Sequence, residues 1–309
     1  MKAILAVAVG AMVLVGCGVE EQQDPSTVVG TTEQSMEGAE IRPNGRGHGT
    51  VEGHARPTGG STVAITYHKG PVMLGTINVY YIWYGNWASN TGTTILTDLA
   101  QNLGGSPYWN INTTYYNASN VHLSNSVAYA GSTTDAYSLG TALTDANIQT
   151  IVSSAITTGR LPLDVNGVYF VLTSADVNAT SGFCTQYCGW HTHGTISGLD
   201  VKYSFVGNPD RCPTSCAATT AANSPNGNLG ADGMASIISH ELEETATDPD
   251  LNAWYDRKGA ENADKCAWTF GTTYNTGTGG LANMTLGARD FLIQQNWVNS
   301  GSGFCAKSF

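Results

Sequence analysis

Apolar positions recur along this chain with two periods. Ile77-Asn78-Val79-Tyr80-Tyr81-Ile82-Trp83 is a β-branched and aromatic run, which predicts a buried strand. Gly167 to Leu172 and Val201 to Val206 predict two more strands. Helical spacing falls between and after them. Thr93 to Leu103 places Ile95, Leu96, Leu99 and Leu103 together, and Gly104-Gly105 ends the segment. Leu143 to Thr158 repeats the pattern with Ile148, Ile151, Val152 and Ile156, with Asp145 near its start. A third helix is expected over Gly233 to Thr247. Strands alternating with helices predict one α/β or α+β domain of about 240 residues, with a mixed central sheet and flanking helices.

The periodicity fades toward the N-terminus. Met1-Lys2 precedes an apolar run from Ala3 to Val15, too short to span a bilayer, so residues 1–16 are expected to be a signal peptide. Leu14-Val15-Gly16-Cys17 is similar to the lipobox of bacterial lipoproteins, which implies a lipidated Cys17 and a membrane contact through that anchor alone. Residues 17–61 are polar and aperiodic and are expected to form a flexible tether, with His48 and His54 as ordinary surface residues. The folded domain is expected over 62–309. This organisation points outside the cytoplasm, to an outer-membrane or cell-surface lipoprotein or a secreted protein.

Charged residues are only 12% of the chain and the net charge is -11. Without a basic patch, nucleic acid is excluded as a partner. Setting Cys17 aside leaves Cys184, Cys188, Cys212, Cys216, Cys266 and Cys305. An even number in an exported chain suggests three disulfides, with 15 possible pairings. The two Cys-x-x-x-Cys pairs could each close locally and leave Cys266 with Cys305. A thiolate zinc site is the rival, disfavoured by an oxidising compartment.

The third helix carries the candidate chemistry, in Ser239-His240-Glu241-Leu242-Glu243-Glu244-Thr245-Ala246-Thr247-Asp248-Pro249. Residues four apart share a helix face, so His240, Glu244 and Asp248 form a row beside Glu241, opposite Ala235, Ile238 and Leu242. Like charges at Glu244 and Asp248, near the negative end of the helix dipole, are unfavourable unless a cation offsets them. Zinc peptidases use His-Glu-x-x-His, with the first Glu as base toward the zinc-bound water. Here Glu244 replaces the second His. The expected roles are His240 and Glu244 as ligands, Asp248 as third ligand, and Glu241 as catalytic base. Pro249 disfavours helical backbone before it, which lets Asp248 or Asp250 turn back. Asp256, Glu261 and Asp264 are further sources of a distal carboxylate. The same acids could instead hold calcium, which takes oxygen ligands. Zinc is the expected cofactor and calcium the alternative.

Several segments also resemble the phosphate-induced-protein/EXORDIUM family. They are Tyr67-His68-Lys69-Gly70-Pro71, Ile82 to Trp87, Gly182 to His191 with the first cysteine pair, Val206-Gly207-Asn208 with Cys212 to Ala217, and Pro225 to Met234. The resemblance runs from about residue 63 to the C-terminus. The His240 helix is similar to bacterial members and departs from plant ones, which are secreted growth-linked proteins without an assigned enzymatic activity. The leading expectation is therefore a metal-dependent, metallopeptidase-like hydrolase on a zincin-like helix. The alternative is a non-enzymatic surface module binding polysaccharide or a protein partner. The substrate would be peptide or cell-wall polysaccharide. His191-Thr192-His193 reads as plain surface. Tyr80, Tyr81, Trp83, Tyr84, Trp87, Tyr108 and Trp109 read as core aromatics, with sugar stacking as the rival. No Gly-x-Ser-x-Gly elbow or phosphate-binding loop is present.

Overall fold

The computed structural model describes residues 64–309 and the strand Thr32–Glu33. The signal peptide, Cys17, His48 and His54 lie outside the described residues.

Five long strands and three long helices organise the domain. β1 (Ile77–Tyr84) leads to α1 (Gly92–Leu103) and β2 (Val127–Asp135). Then follow α2 (Asp145–Thr157), β3 (Gly167–Thr173), β4 (Gly189–Ile196), β5 (Leu199–Val206) and α3 (Leu229–Thr247). The main sheet has the order β4-β5-β3-β1-β2, and Thr32–Glu33 adds a sixth strand outside β4. β2, β1, β3 and β5 run parallel. β4 turns back antiparallel on β5, so the sheet is mixed. Parallel strands covered on both faces read as unbroken apolar runs, which is why β1 and β3 are so hydrophobic. All seven residues of β3 are buried.

The helices divide between the two faces. A Cβ on Gly189 of β4 would meet Ile237 of α3, whereas one on Gly194 would meet Gln149 of α2. Residues five apart on a strand face opposite ways, so α2 and α3 cover opposite faces. α1 packs beside α3. α2 begins with a reciprocal cap in which Thr144 and Asn147 satisfy each other's backbone N–H groups.

The aromatic cluster belongs to the core, since Tyr80, Tyr81, Trp83, Tyr84, Trp87, Tyr108 and Trp109 are all at most 9% exposed. That burial removes the sugar-stacking alternative for them.

The disulfides correct the local pairing. Cys184 bonds Cys212, Cys188 bonds Cys216, and Cys266 bonds Cys305. Cys212 and Cys216 lie one helical turn apart, with Cys216 N–H bonding Cys212 C=O. Their side chains therefore project side by side and each reaches a partner on the facing loop. The result is a two-rung ladder whose partners stand 28 positions apart in the chain on each rung. Three disulfides fit an oxidising compartment. Among the described residues, no helix is long and apolar enough to cross a membrane.

Candidate metal centre

α3 is set in place at both ends. Asn228 caps its start, the side-chain oxygen accepting from Ala231 N–H at 3.0 Å. Gly233 lets it lie against the preceding loop, because a Cβ there would come within 2.7 Å of Pro209 Cγ. At the other end Asp248 leaves the helix at φ -141, ψ 56, as expected before Pro249.

Every residue from Gly230 to Thr247 is buried. The sequence reading gave α3 one core-facing stripe, whereas the polar row is enclosed as well. His240, Glu241, Glu243 and Glu244 are each at most 1% exposed. Two flanking elements close over this face. β4 supplies His191, on the same strand face as Gly189 and hence directed at α3. The segment after the Trp254–Tyr255 strand supplies Glu261 and Asp264.

The donors converge closely. His240 Nε2 lies 2.9 Å from Glu244 Oε1 and 3.6 Å from Asp264 Oδ1. His191 Nε2 lies 3.2 Å from Glu261 Oε2 and 3.7 Å from Glu244 Oε2. Asp264 N–H donates to Glu244 Oε1 at 3.0 Å, and Glu261 N–H to Asp264 Oδ2 at 3.1 Å. Asn262, between the two acids, donates to the Glu243 carbonyl at 3.3 Å and so fastens the segment to α3. Glu241 is fully buried, and neither of its carboxylate oxygens has a hydrogen-bond partner. Glu261 Oε1 and Asp264 Oδ1 also lack one. The cluster meets solvent at Asp264, whose side chain is 17% exposed.

The electrostatics are those of anions crowded in a dry space. Burial, then the Asp264 charge, pushes Glu244 up to about 7. Burial and the Glu244 charge push Glu241 and Glu261 well above the usual carboxylate range. Burial alone would lower His240, but the Glu244 and Asp264 carboxylates outweigh it and raise the imidazole well above its ordinary value. His191 is driven by burial, and next by His240, down to about 3, so it is neutral and can offer a lone pair. A divalent cation would supply the missing opposite charge.

The expected carboxylates part company. Glu261 and Asp264 join His240 and Glu244. Asp248 Oδ1 accepts from Asn252 and Ala253 N–H at 2.6 and 2.5 Å, fixing the turn after the helix, while its carboxyl also meets Glu261 of the cluster. Asp250 lies 2.8 Å from Lys202 Nζ and 3.8 Å from His193 Nδ1. Asp256 pairs with Lys265 at 3.0 Å. The reading of His191 as surface fails, because its side chain is 0% exposed. The available signal was the alternation of β4, which aims His191 and His193 at the same face.

The chain matches the model of the phosphate-induced protein 1 conserved region over residues 65–290. It is similar to Protein EXORDIUM-like 3 of Arabidopsis thaliana, 33% identical over 273 residues, covering 76% of this chain and 80% of the relative. Protein EXORDIUM-like 5 of the same plant is 33% identical over 278 residues, covering 76% and 75%. Protein PHOSPHATE-INDUCED 1 of Nicotiana tabacum is 29% identical over 259 residues, covering 72% and 79%. No solved structure matches the chain.

Proposed function

Because the chain belongs to the phosphate-induced protein 1 family, with EXORDIUM-like proteins among its relatives, we propose that it is an extracytoplasmic member of that family whose α3 face binds a divalent transition-metal ion for hydrolysis. His240 and Glu244 are the ligands on the helix and Asp264 the third donor. Glu241 takes the role of base toward a metal-bound water. The observation that carries this reading is Glu241 itself. A carboxylate with two unpartnered oxygens, 0% exposed, costs free energy that folding alone does not explain. It lies in one donor group with His240 and Glu244, all within 4.8 Å. Imidazole mixed with carboxylate suits zinc better than calcium, which prefers oxygen alone.

A second reading has its own support. The relatives' names describe no enzyme, and His240, Glu241 and Glu244 are all enclosed. On that reading the domain is a non-enzymatic surface module for polysaccharide or a protein partner, and the ion is structural. Metal analysis of the purified chain, joined to casein and cell-wall polysaccharide hydrolysis assays, separates the two. The hydrolase reading expects bound zinc, turnover abolished by Glu241→Gln with metal retained, and loss of metal in His240→Ala. Bound metal with no turnover on either substrate selects the binding module. No metal after incubation with excess Zn(II) overturns the metal centre in both readings.

A further inference from the structure

The donors beneath β4 are not one cluster but two, joined by a single residue. His240, Glu241 and Glu244 form one group and His191, Glu244 and Glu261 the other, the donor atoms of each lying within 4.8 Å of one another. Glu244 belongs to both and divides its oxygens between them. Oε1 faces His240, and Oε2 faces His191. A carboxylate that presents one oxygen to each of two imidazoles has the arrangement of a bridging ligand.

We infer that the centre holds two divalent transition-metal ions bridged by Glu244. The first lies between His240, Glu244 and Asp264, and the second between His191, Glu244 and Glu261. This rests on the metal-binding reading above and adds to it the second ion and its ligands. Donors around an ion with bonds of about 2.0–2.2 Å stand about 3.3 Å apart in a tetrahedral arrangement. His240 stands 2.9 Å and 3.6 Å from its two partners, and His191 stands 3.2 Å and 3.7 Å from its own. Two ions so held could together stabilise the attacking and the leaving oxygen of a displacement.

Charge points the same way. Glu241, Glu244, Glu261 and Asp264 carry up to four negative charges, and the two imidazoles are neutral as ligands. Buried Asp248 and Glu243 lie beside them, so the charge here exceeds what one dication balances. Uncompensated charge in a buried space is costly, so the second ion has an electrostatic reason as well as a ligand set. Glu261 Oε1, fully buried and without a hydrogen-bond partner, adds a free donor on the His191 side. Glu241 remains beside the first ion.

The test is stoichiometry. The full chain is stripped with chelator, equilibrated with excess Zn(II), freed of unbound metal, and analysed for zinc per chain. Two equivalents are expected. His191→Ala and Glu261→Gln should each lower the count to one, and Glu244→Gln should weaken both sites. Circular dichroism and absence of free thiols check that each variant is folded. Loading with Mn(II) gives an independent readout on the unmutated chain, since neighbouring ions produce an exchange-coupled electron paramagnetic resonance spectrum. One equivalent, with an uncoupled manganese signal, overturns the two-ion centre and leaves the single-ion reading standing. No bound metal overturns both.

Discussion

Glu241 and Asp256 are buried acids with opposite fates, and they make opposite predictions. Glu241 has no partner for either oxygen, so an apolar side chain of similar size should relieve the metal-free protein. An unsatisfied buried group costs about 1–3 kcal/mol, and Glu241→Leu should raise the unfolding midpoint of chelated protein accordingly, by a few degrees. Calorimetry in the presence of chelator reads this directly, and a lowered midpoint would argue that Glu241 is satisfied in the native state. Asp256 is fully buried too, but Lys265 lies against it, and Lys258 and Ala260 N–H groups donate to it. Burial alone would raise its pKa, yet these partners together hold the carboxyl below the usual range. A depressed folded pKa means that the stabilisation is present above the unfolded value of about 3.9 and is lost as pH falls through the lower folded value. Asp256→Asn should therefore cost stability at pH 7 and flatten the acid limb below about pH 4, seen in denaturant midpoints across that range. An unchanged acid limb would mean that the pair contributes nothing.

At the scale of an element, α3 shows two terms in competition. Gly233→Ala should gain about 1 kcal/mol in helix propensity. Its Cβ would also lie 2.7 Å from Pro209 Cγ and 3.2 Å from the Cys216 carbonyl, neither of which can easily swing aside. Overpacking of this kind costs about 1–3 kcal/mol, so the substitution should destabilise on balance, and a urea midpoint higher than that of the parent would show the clash to be absorbed. The helix itself was legible in the sequence because Pro249 and the His240 spacing mark its end and its chemistry. β1, β3 and β5 were legible as apolar runs of strand length. β4 was not, since Gly189-Trp190-His191-Thr192-His193-Gly194 mixes polar and apolar residues in one strand. With β4 unread, His191 looked like a loop residue. Glu261 and Asp264 were named among the candidates, but only the fold brings them beside His240, 21 and 24 positions away in the chain. The cysteine ladder was out of reach for the same reason. Spacing along the chain says nothing of a pairing made between two loops.

In the whole molecule, the donors come from three parts of the chain held by different restraints. His240 and Glu244 ride on a helix packed into the core. His191 is paired into the main sheet. Glu261 and Asp264 sit on a short segment whose end is bonded through Cys266 to Cys305, near the C-terminus. Asp264 and Cys266 share one 3-10 turn, so the disulfide is two residues from a donor. The centre therefore has an order of assembly. On the metal-binding reading, a reduced chain would leave the segment that carries Glu261 and Asp264 without its covalent clasp. Oxidation of Cys266 and Cys305 would then be expected to favour metal retention, and reduction to weaken it. Paired Cys266→Ala and Cys305→Ala substitutions should weaken Zn(II) retention against a competing chelator while the Cys184–Cys212 and Cys188–Cys216 rungs stay closed. Equal retention would show that Asn262 and the backbone contacts of Asp264 hold the segment without the clasp. If the centre binds metal as proposed, the disulfide nearest the C-terminus would act as a checkpoint that decides when the donor set is complete.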